Sequence, residues 1–146
     1  TDAEAGDDGG NSDTPADPEA DREAYSAARG KLLERDFDAA ATAFEDYLKD
    51  FPQGQFRAHA HFWLGEVYTN QKSPQLDKAR KQFQTVVDDY PNHSRAPTSL
   101  YKLASLQAQA GNTGEAEVSL HKLIKQFPDA SEAEMAKAML KQLNGG

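Results

Sequence analysis

Apolar residues recur along this chain at the three-to-four-residue spacing of amphipathic helices, and the pattern repeats itself. Aligned on Ala40, Ala79 and Ala116, three segments place Phe44, Phe83 and Leu120 four residues on. Tyr47-Leu48, Val86-Val87 and Leu123-Ile124 follow, and then Phe51-Pro52, Tyr90-Pro91 and Phe127-Pro128. Each segment is predicted to be a helix that ends at an aromatic residue and a proline, whose ring cannot continue it. Another helical stretch precedes each one. It carries a small residue, Ala28, Gly65 or Ala104, where two helices must approach closely. Three helix pairs result.

Leu64, Gly65, Tyr68, Ala79, Phe83 and Pro91 satisfy most of the tetratricopeptide pattern, with Trp63 displaced by two places from the usual tryptophan position, where His61 stands. Lys31 and Gln107 replace the tyrosine in the other two copies. Ala40 to Ala79 is 39 residues and Ala79 to Ala116 is 37, against about 34 in the standard unit, so the connections are longer. Asp17, Pro18 and Glu19 read as N-cap, first helical residue and dipole-favoured acid. Ser73-Pro74 is expected to open another helix, and Ser131 to Glu134 to form a capping box. The seventh helix so started carries Ala133, Ala136, Leu140 and Leu143 on one face, with Lys141 where a small packing residue would stand, as suits a terminal cap. The expected fold is all-α: a tetratricopeptide-like (TPR) solenoid of three repeats, about residues 17–52, 53–91 and 92–128, with a cap at about 131–143.

Composition adds limits. A chain of 146 residues fits one domain, and residues 1–16, rich in Gly and Asp and without large apolar side chains, read as a solvated linker. The net charge of −8 is concentrated at the start: nine acids face Arg22 alone between Thr1 and Glu23, whereas the remainder holds 15 acids and 15 bases. A neutral body without a basic stripe gives nucleic-acid binding little support. No 18-residue apolar run occurs, and cysteine is absent, so disulfides and thiolate chemistry are excluded. The start at Thr1, without methionine, is expected to mark a mature fragment or an excised domain.

No metal, cofactor or catalytic residue is expected. His59 and His61 are two apart on a helix and point to roughly opposite sides. His93 falls in a turn and His121 on a polar face, neither beside an evident carboxylate or nucleophile. Asp7, Asp8, Asn11 and Asp13 lack the spacing of a calcium loop. Asn92-His93-Ser94 is a glycosylation sequon of low specificity, and Trp63 is expected in the core near Ala60 and Val67. Function is therefore expected on the first helix of each pair, in the concave groove of the superhelix. Three places before each small residue stand Tyr25, Phe62 and Tyr101, an aromatic ladder in prospect. Arg22, Arg29, His59, Glu66, Thr98, Ser105 and Gln109 surround it, with Met135 from the cap. Such a set suits docking of an extended or helical protein segment. Alternatively, the three aromatics only complete packing within the helices.

The runs Phe62-Trp63-Leu64-Gly65-Glu66 and Tyr90-Pro91-Asn92-His93-Ser94-Arg95-Ala96-Pro97, with Leu100-Tyr101-Lys102-Leu103-Ala104, resemble the C-terminal domain of the Tol-Pal system's cell-division coordinator family, over about Arg22 to Leu143. The resemblance implies a periplasmic adaptor made with a signal peptide. It further implies binding to TolA and to a class A penicillin-binding protein, coupling peptidoglycan synthesis to outer-membrane constriction during division. It also implies an N-terminal coiled coil that trimerises, joined to the TPR domain by a linker similar to residues 1–16. Two rivals are a TPR scaffold of an outer-membrane protein assembly complex and a cytosolic co-chaperone that clamps a peptide carboxylate. The latter needs Lys and Asn pairs, and the corresponding places hold Tyr25, Arg29 and Lys102 without the asparagines.

Overall fold

A computed structural model describes residues 17–145 of the chain; the linker predicted at 1–16 lies outside them. Seven helices follow one another, α1 (Pro18–Leu33), α2 (Phe37–Asp50), α3 (Arg57–Asn70), α4 (Leu76–Asp89), α5 (Ala96–Gln109), α6 (Thr113–Gln126) and α7 (Ser131–Leu143). Among the described residues there is no strand. Each helix packs on the next, and α5 also touches α7, so three hairpins and a cap stack into one array with a continuous core. This is the predicted all-α, TPR-like solenoid.

Local chemistry sets most of the ends. Asp17 caps α1 by accepting from the Glu19 N–H at 3.0 Å, with Pro18 next, and Asp36 caps α2 through the Ala39 N–H at 3.2 Å. Helices α2, α4 and α6 close at Phe51, Tyr90 and Phe127, whose N–H groups bond the carbonyls of Tyr47, Val86 and Leu123. Gly111, at φ 86°, makes the left-handed turn into α6. Two expected starts are corrected. Helix α4 begins at Leu76 and not at Pro74, because the Gln75 N–H bonds the Tyr68 carbonyl at 2.9 Å and folds the turn back on α3. The capping box of α7 does not form: the cap residue is Ala130, which makes no side-chain bond, the Ser131 hydroxyl donates to Glu132 at 3.3 Å, and Glu134 accepts from Lys137 at 3.1 Å.

Two interactions set the packing. In the second pair Phe83 sits on Gly65, where an added Cβ would stand 2.6–2.8 Å from the ring, so only glycine admits the helices this closely. In the first pair the carboxylate of Asp21 is buried. It accepts from the Tyr47 hydroxyl and, at 2.7 Å, from the Gln55 N–H, while the Tyr47 oxygen accepts from the Phe56 N–H at 2.9 Å. Burial and then this bond hold the Tyr47 hydroxyl well above the usual tyrosine range. The network ties α1, α2 and the long α2–α3 connection together. Asp21, counted above with the acids of the leader, thus belongs to the fold. Arg57 finishes the connection by donating to the carbonyls of Leu48 and Phe51 at 2.8 and 3.0 Å.

Gly65→Ala should therefore lower unfolding free energy by about 1–3 kcal/mol through overpacking. Asp21→Ala should cost a similar amount, about 1–3 kcal/mol, by leaving the Tyr47 hydroxyl and Gln55 N–H without their acceptor. Urea unfolding followed by circular dichroism measures both; a loss below about 0.5 kcal/mol in either would contradict the packing described.

Candidate protein-binding face

The odd-numbered helices lie side by side and exchange side-chain contacts across one face. Between α1 and α3, the Trp63 indole N–H donates to the Tyr25 hydroxyl at 3.0 Å, and the Arg29 guanidinium stands over the indole, 5.1 Å from its centroid. Between α3 and α5, Lys102 pairs with Glu66 at 2.9 Å. Arg95, just before α5, places its guanidinium 4.6 Å from the Phe62 ring and 5.0 Å from Trp63. Between α5 and α7 runs the Thr98–Glu132 bond, which with burial opposing it holds the Glu132 carboxyl below its ordinary value.

Two hollows open on this face. A cavity of about 170 Å³ between α3 and α5 has Phe83 as an apolar wall, with Glu66, Thr69, Tyr101, Lys102, Ser105 and Gln109 around it. Next to it, Tyr101 also lines a cleft of about 360 Å³ against Met135, Met139 and Lys141. Tyr101 is thus the wall between a polar pocket and a methionine-lined one. Methionine adapts its shape to what it meets, so the second hollow tolerates varied apolar side chains.

Two histidines meet between the start of α3 and the segment before α5. The His59 and His93 rings meet edge to face with centroids 4.4 Å apart. His93 Nδ1 accepts from the Arg95 N–H at 3.0 Å, so the proton of the neutral ring sits on Nε2. Burial, then His93, Arg95 and Arg29, hold His59 below the ordinary histidine value of 6.5. Burial and Arg95 do the same for His93. His61 points the other way, to Gln82 of α4 at 2.7 Å, and burial also lowers its affinity for a proton. The opposed directions of His59 and His61 are those expected from their spacing. Among the described residues no three His, Cys, Asp or Glu side chains come together as a metal site would require.

The expected groove residues divide into three sets. Glu66, Tyr101, Ser105 and Gln109 share the cavity, and Met135 joins Tyr101 in the cleft. Arg29 and His59 belong to the cluster around Trp63, and Thr98 is engaged by Glu132. Tyr25 and Phe62 are corrected. Both are buried, at 9% and 2% exposure. Tyr25 stacks on Phe56 at 4.6 Å, and Phe62 packs on Phe83 and under Arg95. Packing against neighbouring elements, and not within the helices as the alternative had it, thus covers both rings, and of the expected aromatic ladder only Tyr101 lines a hollow. Trp63, expected in the core, is half-buried and faces two arginines. Residues not foreseen on this face are Trp63, Thr69, Arg95 and Met139; the sequence carried a signal only for Trp63, in its displacement from the usual tryptophan position.

Fold and face together define a TPR-like helical-repeat scaffold, the architecture of protein-binding arrays. The chain belongs to the family described as outer membrane lipoprotein, YfiO, whose pattern matches residues 17–145. Two proteins of Pseudomonas putida, one from strain KT2440, each bearing the name cell division coordinator CpoB, are 39% identical over 56 residues. That stretch is 38% of this chain and 21% of each relative, about a fifth of their length. The resemblance to the coordinator family's TPR domain is borne out.

Among solved structures, the Yersinia enterocolitica type III secretion chaperone SycD, in complex with a peptide of the translocator YopD, superposes with a TM-score of 0.68 at 18% identity, covering 88% of this chain and 95% of that one. A second SycD structure gives 0.65 at 20% identity, covering 88% and 86%. At such identities the likeness is one of fold.

The three depressed histidines imply a pH dependence of stability. In the unfolded chain they take up protons near 6.5, whereas the folded chain resists doing so until lower pH. Their contribution is therefore present above the unfolded value and lost as pH falls from there through the lower folded values. The thermal midpoint should be lower at about pH 5.5 than at about pH 7.5, and His61→Gln should flatten the difference. A midpoint that rises on acidification in this window would contradict the burial of these rings.

Proposed function

We propose that the chain is a non-catalytic adaptor of the bacterial envelope whose odd-helix face docks a segment of a protein partner. The observation that carries this reading is the pair of adjoining hollows on either side of Tyr101, one polar and one lined with methionine, on a face that no other helix covers among the described residues. An aromatic anchor bordered by polar groups supplies contact area at low entropic cost, with hydrogen bonds to fix orientation. The resemblance to the cell-division coordinators supports TolA and a class A penicillin-binding protein as partners, in the periplasm, with the adaptor coordinating wall synthesis and outer-membrane constriction.

A second reading, a scaffold of an outer-membrane protein assembly complex, is favoured by one observation, the family's description as an outer membrane lipoprotein. Affinity capture from an envelope extract separates the two. Recovery of TolA or a peptidoglycan synthase supports the coordinator, recovery of barrel-assembly proteins supports the second reading, and recovery of neither sinks both.

Tyr101→Ala should weaken TolA binding at least about tenfold, or 1.4 kcal/mol, in calorimetry, with helicity unchanged. Phe62→Ala is unsuitable for this purpose, because the buried ring's loss would be read as instability. Unaltered affinity in the Tyr101 variant would move the site off this face.

A further inference from the structure

The cluster around Trp63 has a feature that packing does not explain. Arg29 and Arg95 both present guanidinium groups to one indole ring, at 5.1 and 5.0 Å, and neither forms an ion pair with a carboxylate among the described residues. Arg29 Nε is buried and has no hydrogen-bond acceptor. An unsatisfied donor held from water is destabilising, so its retention needs a reason. A guanidinium uses only its flat face on an aromatic ring, and with the Arg29 Nε covered, the edge that can meet a carboxylate in a bidentate manner is that of the two terminal nitrogens. The neighbouring His93 adds a third donor, since its Nδ1 is already taken by the Arg95 N–H and its Nε2 bears the proton.

We infer that Arg29, Trp63, Arg95 and His93 form a carboxylate-recognition site for an acidic, extended segment of a protein partner, with an apolar side chain of that segment lying against the indole. Charge complementarity decides the occupant. The site offers two fixed positive charges at one place in an otherwise neutral body, which matches a pair of carboxylates. It is too few for the phosphate backbone of a nucleic acid or the many headgroups of an anionic membrane. A divalent metal is disfavoured by the same charges. The site lies where α1, α3 and the start of α5 meet, beyond the Tyr101 hollows on the same face. It rests on the reading of that face as a docking surface and adds to it the chemistry of one end of the ligand.

Trp63 is the chain's single tryptophan, so its emission reports on this site alone. The full chain is titrated with a synthetic peptide of alternating aspartate and leucine, and separately with its asparagine counterpart, at matched ionic strength. A saturable change in Trp63 emission is expected with the aspartate peptide, with affinity at least about tenfold above that for the asparagine peptide, and falling as salt is raised. Arg29→Gln and Arg95→Gln should each weaken it about tenfold, whereas Arg95→Lys, which keeps the charge but loses the planar fork, should weaken it less. Thermal midpoints within a few degrees of the parent's identify variants that remain folded; should Arg29→Gln fail this, Arg95→Gln alone decides. Equal binding of both peptides, no response to either, or a response to inorganic phosphate without one to the aspartate peptide would overturn the inference. If the aspartate peptide fails while Tyr101→Ala still weakens TolA binding, the carboxylate site is wrong and the adaptor reading stands; if the aspartate peptide binds as expected while Tyr101→Ala leaves TolA binding unaltered, the adaptor reading of the Tyr101 hollows fails and the carboxylate site stands.

Discussion

The geometry of this protein depends on how closely the two helices of a pair can approach, and Phe83 on Gly65 is where the limit is reached. A ring seated directly on backbone brings α3 and α4 into contact along their length and leaves no freedom to slide. With the hairpin fixed, the next element has one place to go, because each helix packs on its predecessor and the odd helices come to lie in a row. The face that they form is thus a consequence of a missing Cβ on its far side. One of its hollows uses that wall: Phe83, whose ring abuts Gly65, also closes the cavity beside Tyr101.

The long connections make a second contribution, which the standard repeat lacks. In the first, Gln55 and Phe56 supply N–H donors to the Asp21–Tyr47 pair, and the Phe56 ring stacks on Tyr25. Extra chain length between repeats is used to close the core over residues that would otherwise face the groove. This explains why Tyr25 is covered while Tyr101, three places before Ala104 in the same register, keeps an open side. Near-identical positions in successive repeats differ in exposure because their neighbours in the loops differ.

Much of this could be read from the sequence, and the parts that could not share a cause. Helix ends were legible because proline and capping aspartate act locally, and hairpin pairing because small residues recur opposite bulky ones. The exposure of Tyr25 and Phe62 was not, since it depends on which loop residue or arginine folds over a ring, a contact made across 31 residues for Tyr25 with Phe56 and 33 for Phe62 with Arg95. Asp21 was misplaced for a similar reason: a carboxylate inside an acidic run looks solvated, and only the arrival of Tyr47 and Gln55 makes its burial tolerable. The capping box failed because α7 starts one residue early for it, with Ala130 at the cap and Ser131 already helical, while Glu134 pairs with Lys137 one turn on.

The odd-helix face varies in chemistry from one end to the other, and this has a consequence for recognition. At the α1 end two guanidinium groups stand over an indole without carboxylate partners among the described residues. In the middle Lys102 is neutralised by Glu66, and at the α7 end Met135 and Met139 offer polarizable apolar surface, with Lys141 and Gln142 at its border. A ligand that lay along this row in the reverse direction would set its apolar end on charged groups and its acidic end on methionine. The first mismatch desolvates two guanidinium groups without repayment, at a cost that grows with burial. The order of side chains along the helices therefore selects the direction of a bound segment as well as its composition, even though the repeat that generates the face is nearly symmetric in backbone. Direction is the property an adaptor needs if it is to hold a partner in one orientation, and here it comes from the residues that differ between repeats.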